Sequence, residues 1–192
     1  RDCLLSRGLG DVYKRQIKTL TNAMENLHKK EKLEYMNQIL SDLYVRDSVT
    51  GLYNRMGYQK LSISYFTIMR EKKMPVLVMF IDLDRLKYIN DTFGHEYGDF
   101  AIVSIAKAML KHCDADAIAA RTGGDEFIVL EGAKDEESGR VLAQKIRTEL
   151  SKTQRAMQLP FDLSASIGVV VAHPGEENVL ESYVTVSYTH LT

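Results

Sequence analysis

Tryptophan is absent from this chain of 192 residues, proline occurs three times and cysteine twice. Cys3 and Cys113 have no close partner in sequence, so neither a disulfide framework nor a zinc site is indicated, and a reducing, cytoplasmic setting is expected. An excess of charge of either sign is lacking too. A formal net charge of −1 argues against a nucleic-acid or membrane surface carried by bulk charge. The longest apolar run, Val76–Ile81, is far too short to span a bilayer. No signal-peptide pattern opens the chain, and repeats and low-complexity tracts are lacking. What is present is the balance of a globular domain, 45% hydrophobic and 27% charged, at a length that suits one domain with an appendage.

Both ends read as foreign. Asp11–Gln16 (DVYKRQ) can be encoded by a string whose reverse complement, in a shifted frame, encodes Thr185–His190 (TVSYTH). Such an inverted repeat resembles a sequencing-library adapter translated by mistake. Residues 1–16 and 185–192 are therefore expected to be adapter, with the natural protein running from Ile17 to about Val184.

From Ile17 to Arg46 the chain is charged, lacks glycine and proline, and is apolar at Ile17, Leu20, Met24 and Leu27. After a phase shift, Leu33, Met36, Leu40 and Leu43 follow. These spacings of three and four predict a helix with one apolar stripe. It is either a dimerising connector from a lost upstream domain or an amphipathic helix packed on its own domain. A glycine-bearing turn in Asp47–Arg55 (DSVTGLYNR) ends it, and Asn54 is placed to cap a second helix reaching about Lys73. Pro75–Asp84 reads as a strand buried on both faces. His95–His112 reads as a helix, and strands on either side of Gly123-Gly124 read as a hairpin. A helix over Asp135–Lys152 and a strand over Phe161–Ala172 complete the order. The expected class is α+β, a ferredoxin-like sheet with its helices on one side.

Two carboxylate groups could carry chemistry. Asp82 and Asp84 end the first long strand, where open sheets present ligands. Asp125 and Glu126 stand at the hairpin. If these strands are neighbours, Asp82 faces Asp125, and carboxylates packed so closely call for a divalent cation. Gly123 and Gly124 would permit a tight turn and let a phosphate approach the backbone. Taken singly, the hairpin acids could be solvated and the Asp82 pair could be a phosphoacceptor pocket.

A third element, Phe80–Asp99 (FIDLDRLKYINDTFGHEYGD), stands between DSVTGLYNR before it and RTGGDEF and SIGV after it. Together the four motifs resemble a GGDEF domain of the diguanylate cyclase family over roughly Arg46–Tyr183. The resemblance implies a nucleotidyl-cyclase palm fold and condensation of two GTP into cyclic di-GMP and two pyrophosphates across a homodimer with facing active sites. The connector helix would join the protomers, an upstream sensory domain would be lost, and no nucleic acid would be bound. The natural full-length protein would be cytoplasmic or membrane-attached through a missing N-terminal part. The implied metal is Mg2+, with Mn2+ as an alternative, held by Asp82, the Leu83 carbonyl, Asp125 and Glu126. Asp125, with Glu126 beside it, would activate the ribose hydroxyl. Asn90 and Asp99 would select guanine, His95 would touch the nucleotide, and Lys87 would meet phosphate. Capping and loop packing are the plain alternatives for Asn90 and His95, and a solvated helix face for Lys87. Asp84 receives no role.

Two departures from the family pattern stand out. The inhibitory Arg-x-x-Asp register holds Asp114 and Ala117, so feedback inhibition through it is not expected. The family's C-terminal helix is replaced by Asn178–Val184 running into the adapter-like tail, and with it would go phosphate contacts and some core cover. A non-catalytic module binding GTP or an effector is the alternative function.

Overall fold

Val76–Leu83 is apolar at seven of its eight positions, so it needs cover on both faces, and the architecture is organised around meeting that need. A computed structural model describes residues 2–133 and 135–173. Asn178–Val184 and the adapter-like 185–192 lie outside the described residues. In chain order the elements are α1 (Asp2–Tyr44), β1 (Tyr53–Asn54), α2 (Arg55–Glu71), β2 (Val76–Leu83), α3 (Leu86–Phe93) and α4 (His95–His112). Then follow β3 (Ile118–Arg121), β4 (Glu126–Gly132), α5 (Glu136–Met157) and β5 (Ala165–Ala172).

The chain divides into two units after Tyr44. The first is α1, on which Ile17, Leu20, Met24, Leu27, Leu33 and Met36 are all exposed. The second holds the sheet, in the order β1-β3-β4-β2-β5. Only the short β1 runs parallel to its neighbour, β3; the other pairings are antiparallel.

Alternation along β2 builds two cores. Leu77, Met79, Ile81 and Leu83 point to one face and pack with Ile105 and Met109 of α4 and Leu142 and Ile146 of α5. Val76, Val78 and Phe80 point to the other and pack with Tyr58, Tyr65 and Met69 of α2. Helices therefore cover both faces of the sheet, not the single face expected from the order of elements. The physical reason is β2 itself, since a strand apolar on both sides cannot leave one side to water. Two further differences are β1, too short to read as a strand, and α3, hidden inside the Phe80–Asp99 motif. Asn54 caps α2 as expected, its Oδ1 accepting from the Gly57 amide at 2.9 Å. α2 stops at Glu71, just before Lys73 takes φ 54°.

Candidate active site

β2 and β4 bring the two acidic groups to one end of the sheet. In their register Asp82 lies directly opposite Glu126, so these two side chains share a face. Asp125 stands one step beyond, and its carbonyl accepts from the Leu83 amide at 2.9 Å. The cross-strand partner of Asp82 is thus Glu126 rather than Asp125. Asp125 remains close enough to act on it: burial first, then the charges of Asp125 and Asp84, hold the Asp82 carboxyl above the usual range.

The hairpin turn is closed by the Thr122 amide bonded to the Glu126 carbonyl at 2.9 Å. Neither of its glycines is among the positive-φ residues, so the need for glycine here is spatial. A Cβ on Gly123 would lie 3.2 Å from Glu126 Cδ and nearer still to its carboxylate, whereas one on Gly124 would meet nothing within 4 Å. Gly123 lets Glu126 fold back over the turn, and Gly124 leaves open space above it.

After Leu83 the chain turns through Arg85, at φ 60°, into α3. Gly94, at φ 95°, then separates α3 from α4. On α3, Lys87 is exposed and Asn90 half-buried; on α4, His95 and Asp99 are exposed one turn apart and share a face. The two helices meet where Gly98 lies against Asn90 and Leu86. Between the end of β2, the start of α3 and the loop before β5 lies a cavity of about 580 Å3, with Asp82, Asp84, Arg85, Tyr88, Phe161 and Ser164 in its walls. Its aromatic side is fixed by ring contacts, Phe93 to Phe161 at 5.4 Å and Tyr97 to Phe161 at 5.9 Å.

Asp82, Asp125, Glu126 and the Leu83 carbonyl are hard oxygen donors, three of them anionic and crowded. Among the described residues no three acidic, histidine or cysteine side chains form a ready-made metal cage. That donor set fits a small divalent cation that completes its shell with water and substrate phosphates.

Sequence reasoning missed three contributions. Asp84 accepts from the Ser164 hydroxyl at 2.7 Å and the Ser166 hydroxyl at 2.8 Å. Gly98 makes room for Asn90. Arg121 bonds both oxygens of Asp47 at 3.3 Å, while its Nε and Nη2 reach the Gly124 carbonyl at 3.2 and 2.7 Å. One guanidinium thereby ties the Asp47–Gly51 turn to the Gly123-Gly124 hairpin. Burial works to raise the Asp47 carboxyl, but bonds from the Thr50 hydroxyl and amide and the nearby Arg121 bring it below the usual range. The signal available in sequence was Thr50, three residues after Asp47, a spacing typical of side-chain-closed turns.

Lysine at position 121 supplies a point charge in place of this planar fork. Arg121→Lys is expected to destabilise the fold by about 1–3 kcal/mol in urea titration. Because the Asp47 carboxyl is depressed in the folded state, its share of that loss is present at neutral pH and disappears as pH falls through its folded value. An unchanged urea midpoint at pH 7 would show that the bridge is ornamental.

The family model described as "Diguanylate cyclase, GGDEF domain" matches residues 44–189. The bifunctional diguanylate cyclase/cyclic di-GMP phosphodiesterase MucR of Pseudomonas aeruginosa is 32% identical over 141 residues, 73% of this chain and 20% of that one. The diguanylate cyclase VdcA of Vibrio cholerae is 33% identical over 142 residues, 72% of this chain and 40% of that one. The chain spans between 18% and 42% of the lengths of such curated relatives. The coiled coil and GGDEF domain of DgcB from Caulobacter crescentus, solved in complex with c-di-GMP, superposes with a TM-score of 0.69. It covers 88% of this chain and 91% of that one at 23% identity, a likeness of fold. With the acids of the GGDEF hairpin placed against β2, and the family model matched over nearly all of the second unit, the chain belongs to the GGDEF family of diguanylate cyclase domains.

Proposed function

We propose that this domain joins two GTP molecules into cyclic di-GMP in a homodimer, each protomer presenting one GTP to the other. The observation that carries this reading is the register of Asp82, in the wall of the cavity, against Glu126, with the Leu83 amide bonded to the Asp125 carbonyl beside it. Each ribose 3′-oxygen forms a bond to the α-phosphorus of the opposite nucleotide as the bond from that phosphorus to the bridging β-phosphate oxygen breaks, releasing pyrophosphate. Asp125 would take the hydroxyl proton, with Glu126 beside it. Asn90 and Asp99 read guanine, since a carboxylate accepts from N1–H and N2–H together. Lys87 meets the phosphates, His95 lies beside the nucleotide, and Gly124 leaves the backbone open to it. A divalent cation, Mg2+ or Mn2+, held by Asp82, the Leu83 carbonyl, Asp125 and Glu126, would neutralise phosphate charge and lower the pKa of the attacking hydroxyl.

The exposed stripe of Ile17, Leu20, Met24 and Leu27 has the spacing of a coiled-coil seam and supports α1 as the dimerising element. An upstream sensory domain would act through it. Where relatives of the Arg-x-x-Asp type hold arginine, Asp114 has its amide bonded to the Glu131 carboxylate at 3.0 Å, and the charges of Asp114 and Asp116 both bear on Glu131. So acidic a surface supports the expectation that cyclic di-GMP does not inhibit from there.

Incubation with GTP and Mg2+, read by mass spectrometry, is expected to yield cyclic di-GMP that vanishes in Asp125→Ala. GTP binding without product in the parent chain would instead favour a regulatory module.

A further inference from the structure

We propose that Asp84 is a positioning residue, not a metal ligand: it clamps the end of β2 to β5 and thereby aims the donors of the cyclase site. Both of its carboxylate oxygens are taken by hydroxyls, Oδ2 by Ser164 at 2.7 Å and Oδ1 by Ser166 at 2.8 Å. Its amide makes a third bond in the same direction, to the Ser164 carbonyl at 3.1 Å. The clamp therefore spans the last residues of β2 and the first of β5, where Leu83 pairs with Ala165.

The consequence follows from peptide geometry. The Asp84 N–H and the Leu83 C=O belong to one trans peptide plane and point in opposite directions. With the N–H held on the β5 side, the Leu83 carbonyl is turned to the β4 side, where Asp125 and Glu126 stand. The Leu83 amide, bonded to the Asp125 carbonyl at 2.9 Å, fixes the same side from the other end. Asp82, whose carboxylate would otherwise be free to swing on a frayed strand end, is held between two clamped neighbours. What sets Asp84 apart from a ligand is that both oxygens are aimed by the β5 hydroxyls, which fixes the carboxylate's orientation from the β5 side, although its charge still bears on Asp82.

This inference rests on the cyclase reading, and the test separates the two. Asp84→Asn, Asp84→Ala and the double variant Ser164→Ala/Ser166→Ala are compared with the parent and with Asp82→Asn. Three properties are measured: kcat and KM for GTP, Mn2+ binding by electron paramagnetic resonance with a non-reactive GTP analogue, and amide exchange over residues 83–86 and 164–166.

The double serine variant, which leaves every acid in place, is expected to lower kcat and Mn2+ affinity by about tenfold or more with KM little changed. Exchange of the clamped amides should rise with it. Asp84→Ala should match it, and combining the two should add nothing. Asp84→Asn should stay within about threefold of the parent, because an amide can accept from one hydroxyl and donate to the other oxygen. Asp82→Asn should lose Mn2+ while exchange stays unchanged.

A loss of Mn2+ in Asp84→Asn as deep as in Asp82→Asn would overturn the proposal, as would a serine double variant indistinguishable from the parent. If the parent makes no cyclic di-GMP, the cyclase reading fails, and exchange and Mn2+ binding still decide the clamp.

Discussion

Asp82→Asn is expected to unfold at or above the melting temperature of the parent at pH 7, in the absence of metal, while losing about a thousandfold in cyclic di-GMP production, roughly 4 kcal/mol of transition-state stabilisation. The two effects have opposite signs because one carboxylate serves two ends. In the folded chain Asp82 is disfavoured as an anion by burial and then by Asp125 and Asp84, so its carboxyl titrates above the usual range. The folded state thus holds this proton more tightly than the unfolded one. Its contribution is favourable below the unfolded pKa and turns against the fold as pH rises through the folded value. At neutral pH the amide removes that repulsion, and below the carboxylate range the two proteins should converge. A variant that melted well below the parent at pH 7 would show that Asp82 serves structure instead.

The second large effect is expected from a change that adds one methyl group. Gly98 lies inside α4, where replacing glycine with alanine ordinarily gains about 1 kcal/mol of helix stability. Here the new Cβ would come within 2.9 Å of Asn90 Cγ, closer still to its Oδ1, and 3.2 Å from Leu86 Cδ1. The atoms in the way belong to the end of a side chain, so the fold can yield and Asn90 will turn away. Gly98→Ala should therefore raise KM for GTP by about tenfold or more and narrow the preference for GTP over ATP, with melting temperature equal or higher. Unchanged nucleotide selectivity would mean that Asn90 does not read the base from its present position.

How much of this was legible in sequence depended on how far apart the interacting residues lie. Asn54 and its cap, the hairpin at Gly123-Gly124 and the acids at the end of β2 are local patterns, and local patterns can be read from spacing. The double-sided apolar character of β2 was visible as well, yet the order of elements suggested helices on one face only. That α2 covers the second face depends on Tyr58, Tyr65 and Met69 meeting β2, β3 and β4. The Asp47–Arg121 bridge spans 74 positions, and the Asp84 bonds to Ser164 and Ser166 span 80 and 82. Asp84 stood out as an acid at a strand end, but nothing in its own surroundings in sequence pointed to Ser164 and Ser166 as its partners. The metal-ligand candidates could be named from motifs, but what holds them could not.

These separations also govern when the site can exist during folding. β2 forms early in the chain, but its two partners, β4 and β5, are synthesised dozens of residues later, and non-local pairings of this kind form slowly because loop closure must precede them. Asp82 has no opposing carboxylate until β4 docks, and no clamped neighbours until β5 docks on the other side. A nascent or partly folded chain should therefore be silent, with neither metal affinity nor nucleotide turnover. On the cyclase reading, turnover would begin only when β5 is in place.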